Sequence, residues 1–525
     1  MRKTAVFILA LIIALPAVLF AQVQETLPPL SLGDALRAAI ESSYSIQLKQ
    51  AAVQAAHGRL RMAKGGSDVT VGADASYSVN NNPYADDPYY GANGMDNVKR
   101  DTLSGSLWIQ KAFSFGLLSK LSVGAVRTLD TYEGGAAADI AQNQYGDEHT
   151  SRGTINLELS LPLFKSFNSE ILANNIKAAK DYYRQLEYEL SDTICRTVQD
   201  VSAAYWNYFN AYKTVQQLEV LIQTLNDRID SMPRLIEAGV RSKNDLLGMQ
   251  VNLIENERSV VAARIGLNRA RLNLQQVMGV ETELGLPVNY PFPKLDLSNV
   301  QLPSEDEVDF AFLEQVANTR PDILALQRQL SAAQSNLKAT QADRRPDASV
   351  SLSAGTTGAT YGDSVGDYFS SFGKNVPGAN YSGALTFSMS IPNNSRSGAA
   401  EQAEANCKQA QVQLNMARQQ LSSQLKETVY SMNQYHQQVI NANEALTMQK
   451  QLYANEKRRF AAGLITVDDM FVQDSKYIAA ENQYYKIMTD YLNSVLEYKY
   501  YTGTLVELTE GEENVLFSER LYTFQ

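Results

Sequence analysis

The stretch Glu237-Ala238-Gly239-Val240-Arg241-Ser242-Lys243-Asn244-Asp245-Leu246 has a counterpart later in the chain, Ala461-Ala462-Gly463-Leu464-Ile465-Thr466-Val467-Asp468-Asp469-Met470. Both stretches contain a glycine, then a Ser or Thr, then an aspartate three residues further on. The S/T-x-x-D spacing predicts a capping box, in which the carboxylate satisfies free amides at a helix start. Two such turns, each after a long helical pattern, indicate an internally duplicated chain.

The segments before the two turns also match. A helical pattern runs over about 168–230 in the first half and about 395–459 in the second, each about 90 Å long at ~1.5 Å per residue. A strand that ends in proline precedes each, Ser160-Leu161-Pro162 and Ser390-Ile391-Pro392. One more helix closes each half, near Gly279 and near Gly503. The order of elements is therefore the same in both halves.

Each half begins with a further helical pattern, 31–64 in the first and 305–342 in the second. Capping spacings stand at both starts, Ser31 with Asp34 and Ser304 with Glu307. Each of the two patterns is predicted to be one continuous helix.

The N-terminus predicts export. Arg2 and Lys3 precede an apolar run that ends at Ala21, which is the pattern of a secretory signal peptide. The resulting division is a signal peptide at 1–21, a first repeat at 22–285, a Pro-rich linker at 286–303, a second repeat at 304–503 and a C-terminal tail at 504–525. After the signal, no run approaches the ~18 to 20 apolar residues of a membrane helix.

Strands with a period of two are predicted at 69–79, 103–113, 117–127 and 154–164 in the first repeat, and at 348–356 and 382–391 in the second. From Ile155 to Leu163 every odd position is apolar, and the even positions from Thr154 to Ser160 are polar. Such alternation is typical of transmembrane barrel strands, and a soluble sandwich shares it. Because six strands leave open edges, closure of a barrel would need other copies of the chain.

The second long helix carries a heptad seam with one stutter, which predicts coiled-coil packing. Its members are Ala403, Cys407, Ala410, Leu414, Ala417, Leu421, Leu425, Thr428, Met432, Tyr435, Val439, Ala442 and Leu446. Cys407 lies on this seam and is predicted to be a buried structural thiol.

Composition excludes several functions. The net charge of −11 and the lack of any Lys/Arg-rich run argue against a nucleic-acid partner. Three scattered His and two Cys offer no metal site, and no catalytic motif is present. We therefore expect a protein that is not an enzyme, with no catalytic residues, no cofactor and no metal.

The S/T-x-x-D spacing alone predicts that the two aspartates of the paired turns cap helices. A further role follows if symmetry copies bring Asp245 or Asp469 together, because a ring of carboxylates favours cations and repels itself. We expect such a ring to form a gate or a docking surface at the tip of the helices.

With the signal, the duplicated helix-strand-strand-helix order, the strand-Pro-helix junctions and the A-G-[VL]-x-[ST]-x-x-D-[LM] tips, the chain resembles the TolC-like outer-membrane efflux protein family. The resemblance covers about 31–503. It implies an α+β membrane protein of the outer membrane with a periplasmic extension, a homotrimer. Long coiled-coil α-helices would form an α-barrel, and the β-strands would contribute to a shared transmembrane β-barrel. Four strands per protomer are common in the family, whereas six are predicted here.

The resemblance also implies site residues. The tips that dock the adaptor would be Gly239, Ser242, Asp245, Leu246, Gly463, Thr466, Asp469 and Met470. The periplasmic gate would comprise Asp469, Asp245, Phe460 and Ile465. Phe460 stands at the family's gate tyrosine position, Ile465 at its arginine position and Val472 at its second aspartate position, so a more apolar constriction is expected.

The resemblance implies a passive exit duct in a tripartite efflux or type I secretion system. Its partners would be a periplasmic adaptor protein, an inner-membrane RND or ABC-type pump and outer-membrane lipid. The alternative is a surface-exposed structural or adhesive protein in which the helices form only a stalk. The paired acidic tips favour the duct, because a stalk has no reason for a constriction at its inner end.

Overall fold

The fold is described from a computed structural model over residues 28–83, 95–113, 115–146, 149–164, 170–239, 241–288, 302–362, 364–509, 512–515 and 522. The predicted signal peptide 1–21 and most of the predicted linker 286–303 lie outside these residues. The chain divides into two units. The helical unit takes the described residues of Met1–Gln50, Glu189–Asp322 and Arg418–Gln525, and the strand unit those of Ala51–Tyr188 and Ile323–Ala417.

The helices are α1 Leu32–Ser42, α2 Tyr44–Gly65, α3 Ala136–Ala141, α4 Glu170–Glu237, α5 Lys243–Met278, α6 Phe310–Ala317, α7 Pro321–Asp343, α8 Val365–Ser370, α9 Asn394–Ala461 and α10 Val467–Thr502. A π-helical turn at Gln142–Gly146 and a 3₁₀ turn at Glu305–Glu307 accompany them. The two long helices α4 and α9 have 68 residues each. Among the described residues, none of the helices has both the length and the hydrophobicity needed to cross a membrane.

The strands are β1 Val69–Pro83, β2 Met95–Ala112, β3 Leu118–Gly134, β4 Thr150–Pro162, β5 Asp347–Tyr361 and β6 Ala379–Ser388. They form one antiparallel sheet in the order β1-β2-β3-β4-β5-β6, with β1 and β6 at the edges. In the helical unit, β7 Val506–Thr509 pairs with β8 Glu512–Val515, within the predicted tail.

Several strands are longer than the alternation predicts. The alternation predicts strands at 69–79 and 103–113, yet Asn80 and Arg100, which lie between these ranges, pair with each other in the ladder between β1 and β2. Polar residues on both faces hid this extension, because the backbone pairs whether or not one face is apolar. By contrast, β6 ends at Ser388, so Ile391 lies beyond it.

The first and third helical patterns are not continuous helices. The first is interrupted at Ser43, which lies between α1 and α2. The pattern at 305–342 is broken before Pro321, which lacks an amide hydrogen and therefore starts a new helix, α7. The capping box predicted for Ser304 with Glu307 is wrong. Ser304 makes no side-chain cap, and the side chain of Asp309 instead accepts from the amide of Phe312 at 2.8 Å.

The two faces of the sheet differ as the alternation predicts. Cross-strand partners Val71, Ile109, Leu121 and Leu157 lie in one row on one face, and all four side chains are exposed. The opposite face holds polar groups, such as Asp74, whose carboxylate accepts from the Trp108 indole at 2.8 Å. A single chain thus exposes a broad apolar face.

The core of the helical unit is aromatic. Its largest fully buried side chains include Trp206, Tyr205, Tyr208, Phe209 and Tyr491. The predicted α9 seam is buried at most positions, including Leu414, Leu421, Leu425, Met432 and Val439. Cys407 is only half-buried, so the predicted burial of its thiol is overstated.

Candidate functional site

The two matching turns have the same local structure. Helix α4 ends at Glu237 and α5 starts after Ser242, and α9 ends at Ala461 and α10 starts after Thr466. Gly239 and Gly463 take φ values of +72° and +76°, which an L side chain adopts only with strain. Each glycine therefore allows the chain to reverse direction directly after its long helix.

Both predicted capping boxes are present. The amide of Asp245 donates to the Ser242 hydroxyl at 3.2 Å, and the Ser242 amide donates to the Asp245 carboxylate at 2.9 Å. In the second turn, Asp469 and Thr466 exchange the same bonds, each 3.1 Å long. The hydroxyl and the amide of Thr466 hold the pKa of the Asp469 carboxyl below its ordinary value. Asp469 is therefore ionised at neutral pH.

An arginine of the first turn holds the second turn. The Arg241 guanidinium donates to the backbone carbonyls of Ile465 at 2.9 Å and Phe460 at 3.3 Å, and it lies 4.7 Å from the centre of the Phe460 ring. Sequence reasoning assigned no role to Arg241. The signal was available, because Arg241 and Ile465 both stand two residues after a turn glycine.

A buried ion pair lies close to the turns. Arg228 of α4 donates to both carboxylate oxygens of Asp474 of α10, at 2.5 and 3.0 Å. The Asp474 side chain is 1% exposed and the Arg228 side chain 13%. Tyr453 stacks on Tyr477 with ring centres 4.9 Å apart, and burial next to Asp474 raises the pKa of Tyr453 to about 12. The pair was not predicted, because its members are 246 positions apart in sequence.

The residues expected at the tips fall into three groups by exposure. Exposed are Gly239, Ser242, Gly463, Thr466 and Asp469, and half-buried are Asp245, Leu246 and Phe460. Ile465 and Met470 are buried. Phe460 packs against a small core of Met232, Met249 and Val467. The structure thus presents the Asp469 carboxylate at the surface, with Asp245 half-buried, and places the side chains of Ile465 and Met470 inside.

Helix α5 carries an exposed apolar stripe. Its members are about half exposed or more and follow one another at spacings of three, four or seven residues. They are Leu247, Val251, Ile254, Val261, Ile265 and Leu272. This periodicity is that of a coiled-coil seam. Within the part of the chain that the structure describes, no group of His, Cys, Asp and Glu could hold a metal ion.

A sequence profile of outer membrane efflux proteins matches residues 122–280 and 312–504, more than half of the chain. The chain belongs to the outer membrane efflux protein family. The resemblance to TolC-like outer-membrane efflux proteins that the sequence indicates is therefore confirmed. The family is one of channel proteins of the outer membrane. No curated protein sequence matches the chain significantly.

Solved structures of the family share the fold at low sequence identity. CmeC, the outer membrane channel of Campylobacter jejuni, is 14% identical with a TM-score of 0.62, over 90% of this chain and 85% of that chain. MtrE of Neisseria gonorrhoeae, in the open state of that channel, is 14% identical with a TM-score of 0.60, over 90% and 88%. VceC of Vibrio cholerae is 14% identical with a TM-score of 0.58, over 90% and 96%.

Proposed function

We propose that the protein is the outer-membrane channel of a tripartite efflux or type I secretion system. Three copies form a passive exit duct, which receives substrates from an inner-membrane RND or ABC-type pump through a periplasmic adaptor. The repeats 22–285 and 304–503, joined by the linker 286–303, contribute equivalent parts of each protomer. The chain itself performs no chemistry, and the duct stands in the outer membrane with its helices in the periplasm.

The main support for this proposal is the sheet of the strand unit, whose two edge strands are unpaired within one copy. The side chains of edge strand β6 are all exposed, and those of edge strand β1 nearly all. An unpaired edge with an exposed apolar face is unstable in water and cannot be tolerated in lipid. Because β1 and β6 of this six-stranded sheet run antiparallel to each other, β6 of one copy can pair with β1 of the next. Three copies then close a barrel of about eighteen strands, with the apolar face toward lipid.

The apolar stripe on α5 supports the same assembly. Side chains such as Val251, Ile254 and Val261 would be buried against a helix of a neighbouring copy, at about 25 cal/mol per Å² of apolar surface removed from water. A stalk built from one copy would leave this stripe in water.

The tips provide the gate and the docking surface. In a trimer, Asp469 and Asp245 of three copies would form a ring of carboxylates, which attracts cations and repels itself. The exposed turns with Gly239, Ser242, Gly463 and Thr466 would meet the adaptor. Leu246 and Phe460 would support these turns from below, and the buried Ile465 and Met470 would fix the position of the capped helix start.

Disulfide trapping tests the closure of the sheet. In a Cys195→Ala, Cys407→Ala background, Val71→Cys on β1 is combined in turn with Tyr381→Cys, Gly383→Cys and Leu385→Cys on β6. We expect one pair to give a covalent trimer on oxidation in refolded protein, since facing Cβ atoms on paired strands are ~5 Å apart. Covalent dimers that never extend to three, or no product from any pair, would contradict the proposal.

A further inference from the structure

One row of the sheet consists of small residues only. Ala75, Gly105, Ala125, Gly153 and Gly358 are successive cross-strand partners on β1 to β5. No side chain in this row extends beyond Cβ. The row is therefore a furrow that crosses five strands of the strand unit.

The segment 364–374, which contains α8 and which we name the connector, lies in this furrow. The Tyr368 hydroxyl donates to the carbonyl oxygen of Ala125 at 2.9 Å. The backbone carbonyl of Lys374 accepts from the amide of Ala359 at 3.0 Å. A Cβ added to Gly153 would stand 2.8 Å from the Phe372 ring. Ala125 is left 2% exposed.

The connector lies on the apolar face of the sheet. Leu107, Val123 and Ile155 form the next row on that face. This row lies two residues from the furrow, on the side of the strand ends that lead into the helices. On the other side of the furrow the same face carries charged residues among apolar ones, since Arg127 pairs with Leu103 and Asp101 pairs with Leu129. The furrow thus marks the level at which charged side chains first interrupt the apolar rows on this face.

The height of the apolar zone fits a membrane. From Leu163 to Gly153 the odd positions are apolar over about ten residues, or ~33 Å of strand at ~3.3 Å per residue. At the ~40° tilt of barrel strands this is about 25 Å, the height of the apolar band of outer-membrane barrels. The furrow therefore coincides with the level at which such a band gives way to lipid headgroups.

We propose that the connector is a membrane-binding collar, seated in the furrow at the headgroup level of the outer leaflet. Tyr368 and Phe372 are half-buried and fix it to the sheet, whereas Phe369, whose ring lies edge-on to that of Tyr368, is 65% exposed. The exposed ring enters the lipid-water interface, where aromatic side chains are favoured, and Lys374 meets lipid phosphate. The inference rests on the proposed function, because it needs the apolar face to meet lipid.

Depth-dependent quenching tests the collar. Phe369→Trp and, separately, Leu107→Trp are introduced into the full chain and reconstituted in vesicles of phosphatidylcholine brominated either near the headgroup or deep in the acyl chain. The emission of wild type, from Trp108 and Trp206, is subtracted. We expect shallow bromine to reduce the added emission of Phe369→Trp about twofold and deep bromine to leave most of it, with the opposite order for Leu107→Trp.

The outcomes separate the two proposals. Quenching of Leu107→Trp but not of Phe369→Trp would overturn the collar, leaving the connector in water or beneath another copy. Absence of quenching at both positions would overturn the proposed function as well, since the sheet would then not lie in the bilayer.

A matched pair of glycine variants tests the seat. Gly153→Ala places its Cβ against the Phe372 ring at 2.8 Å, whereas the Cβ of Gly383→Ala, on the same face, meets only the Leu352 side chain at 3.5 Å. In the Phe369→Trp background, Gly153→Ala should remove most of the shallow quenching, and Gly383→Ala should retain it. Retention in both would show that the furrow does not position the connector.

Discussion

The buried pair of Arg228 and Asp474 should control how firmly the two tip turns are held together. Asp474→Ala leaves the Arg228 guanidinium, 13% exposed, without its carboxylate. Removing one partner of such a pair costs about 3 to 5 kcal/mol, because the other charge stays buried. At ~1.4 kcal/mol per decade, even the lower figure predicts that amides of the tip exchange hydrogen about 100-fold faster.

Hydrogen exchange followed by mass spectrometry on the refolded protein measures this directly, in peptides that cover both turns. Glu219→Ala is the matched control, because its pair with Arg264 joins the same two helices as the first turn and is exposed at 48% and 63%. It should change exchange by less than about fivefold, as exposed pairs contribute at most ~1 kcal/mol. The double variant Arg228→Met, Asp474→Leu should recover most of the protection, since an apolar pair replaces the charges.

If Asp474→Ala exchanges no faster at the tips than Glu219→Ala, the buried ion pair does not hold the turns together. If the double variant is as unprotected as the single one, the loss does not come from a stranded charge.

Three further predictions concern the turns. Arg241→Met should weaken the tip by roughly 2 kcal/mol through the two lost charge-assisted bonds to backbone carbonyls, read as ~30-fold faster exchange of the second turn and not of the helix starts elsewhere. Gly463→Ala should destabilise the second turn by about 1 kcal/mol because of its φ of +76°, whereas Gly248→Ala, inside α5 with no atom near its Cβ, should not. The lowered pKa of Asp469 means that its capping contribution is complete above its unfolded pKa, ~3.9, and is lost only as pH falls through the folded value. Asp469→Ala should therefore speed exchange of the α10 start at pH 7, and this effect should shrink as pH falls through the folded pKa.

The regular parts of the fold were predictable because each leaves a period in the sequence. The α9 seam at Leu421, Leu425 and Met432 is buried as the heptads indicate, with the stutter between the first two. The capping boxes at Ser242 and Thr466 follow from three-residue spacing alone. Local patterns of this kind need no knowledge of the tertiary structure.

The remaining features depend on contacts between distant parts of the chain. The Arg228 pair joins α4 to α10, and the connector reaches Ala125 from 243 positions away, so neither has a local signature. The broken helix before Pro321 is a different case, because the proline itself is a local signal for a helix boundary, although the helical periodicity continues on both sides of it. The half-exposed Cys407 shows that a heptad position fixes the direction of a side chain and not the depth of its burial.

Single-channel conductance of the refolded mature protein in a planar bilayer tests the central claim, with wild type compared to Asp469→Asn and to Asp245→Asn, Asp469→Asn. Asparagine keeps an acceptor for the helix cap and removes only the charge. A trimer should insert and give small cation-selective steps, with selectivity falling as one and then both carboxylates are removed. A trimer that inserts and never conducts, even in the double variant, would contradict the channel and support a structural protein with a helical stalk.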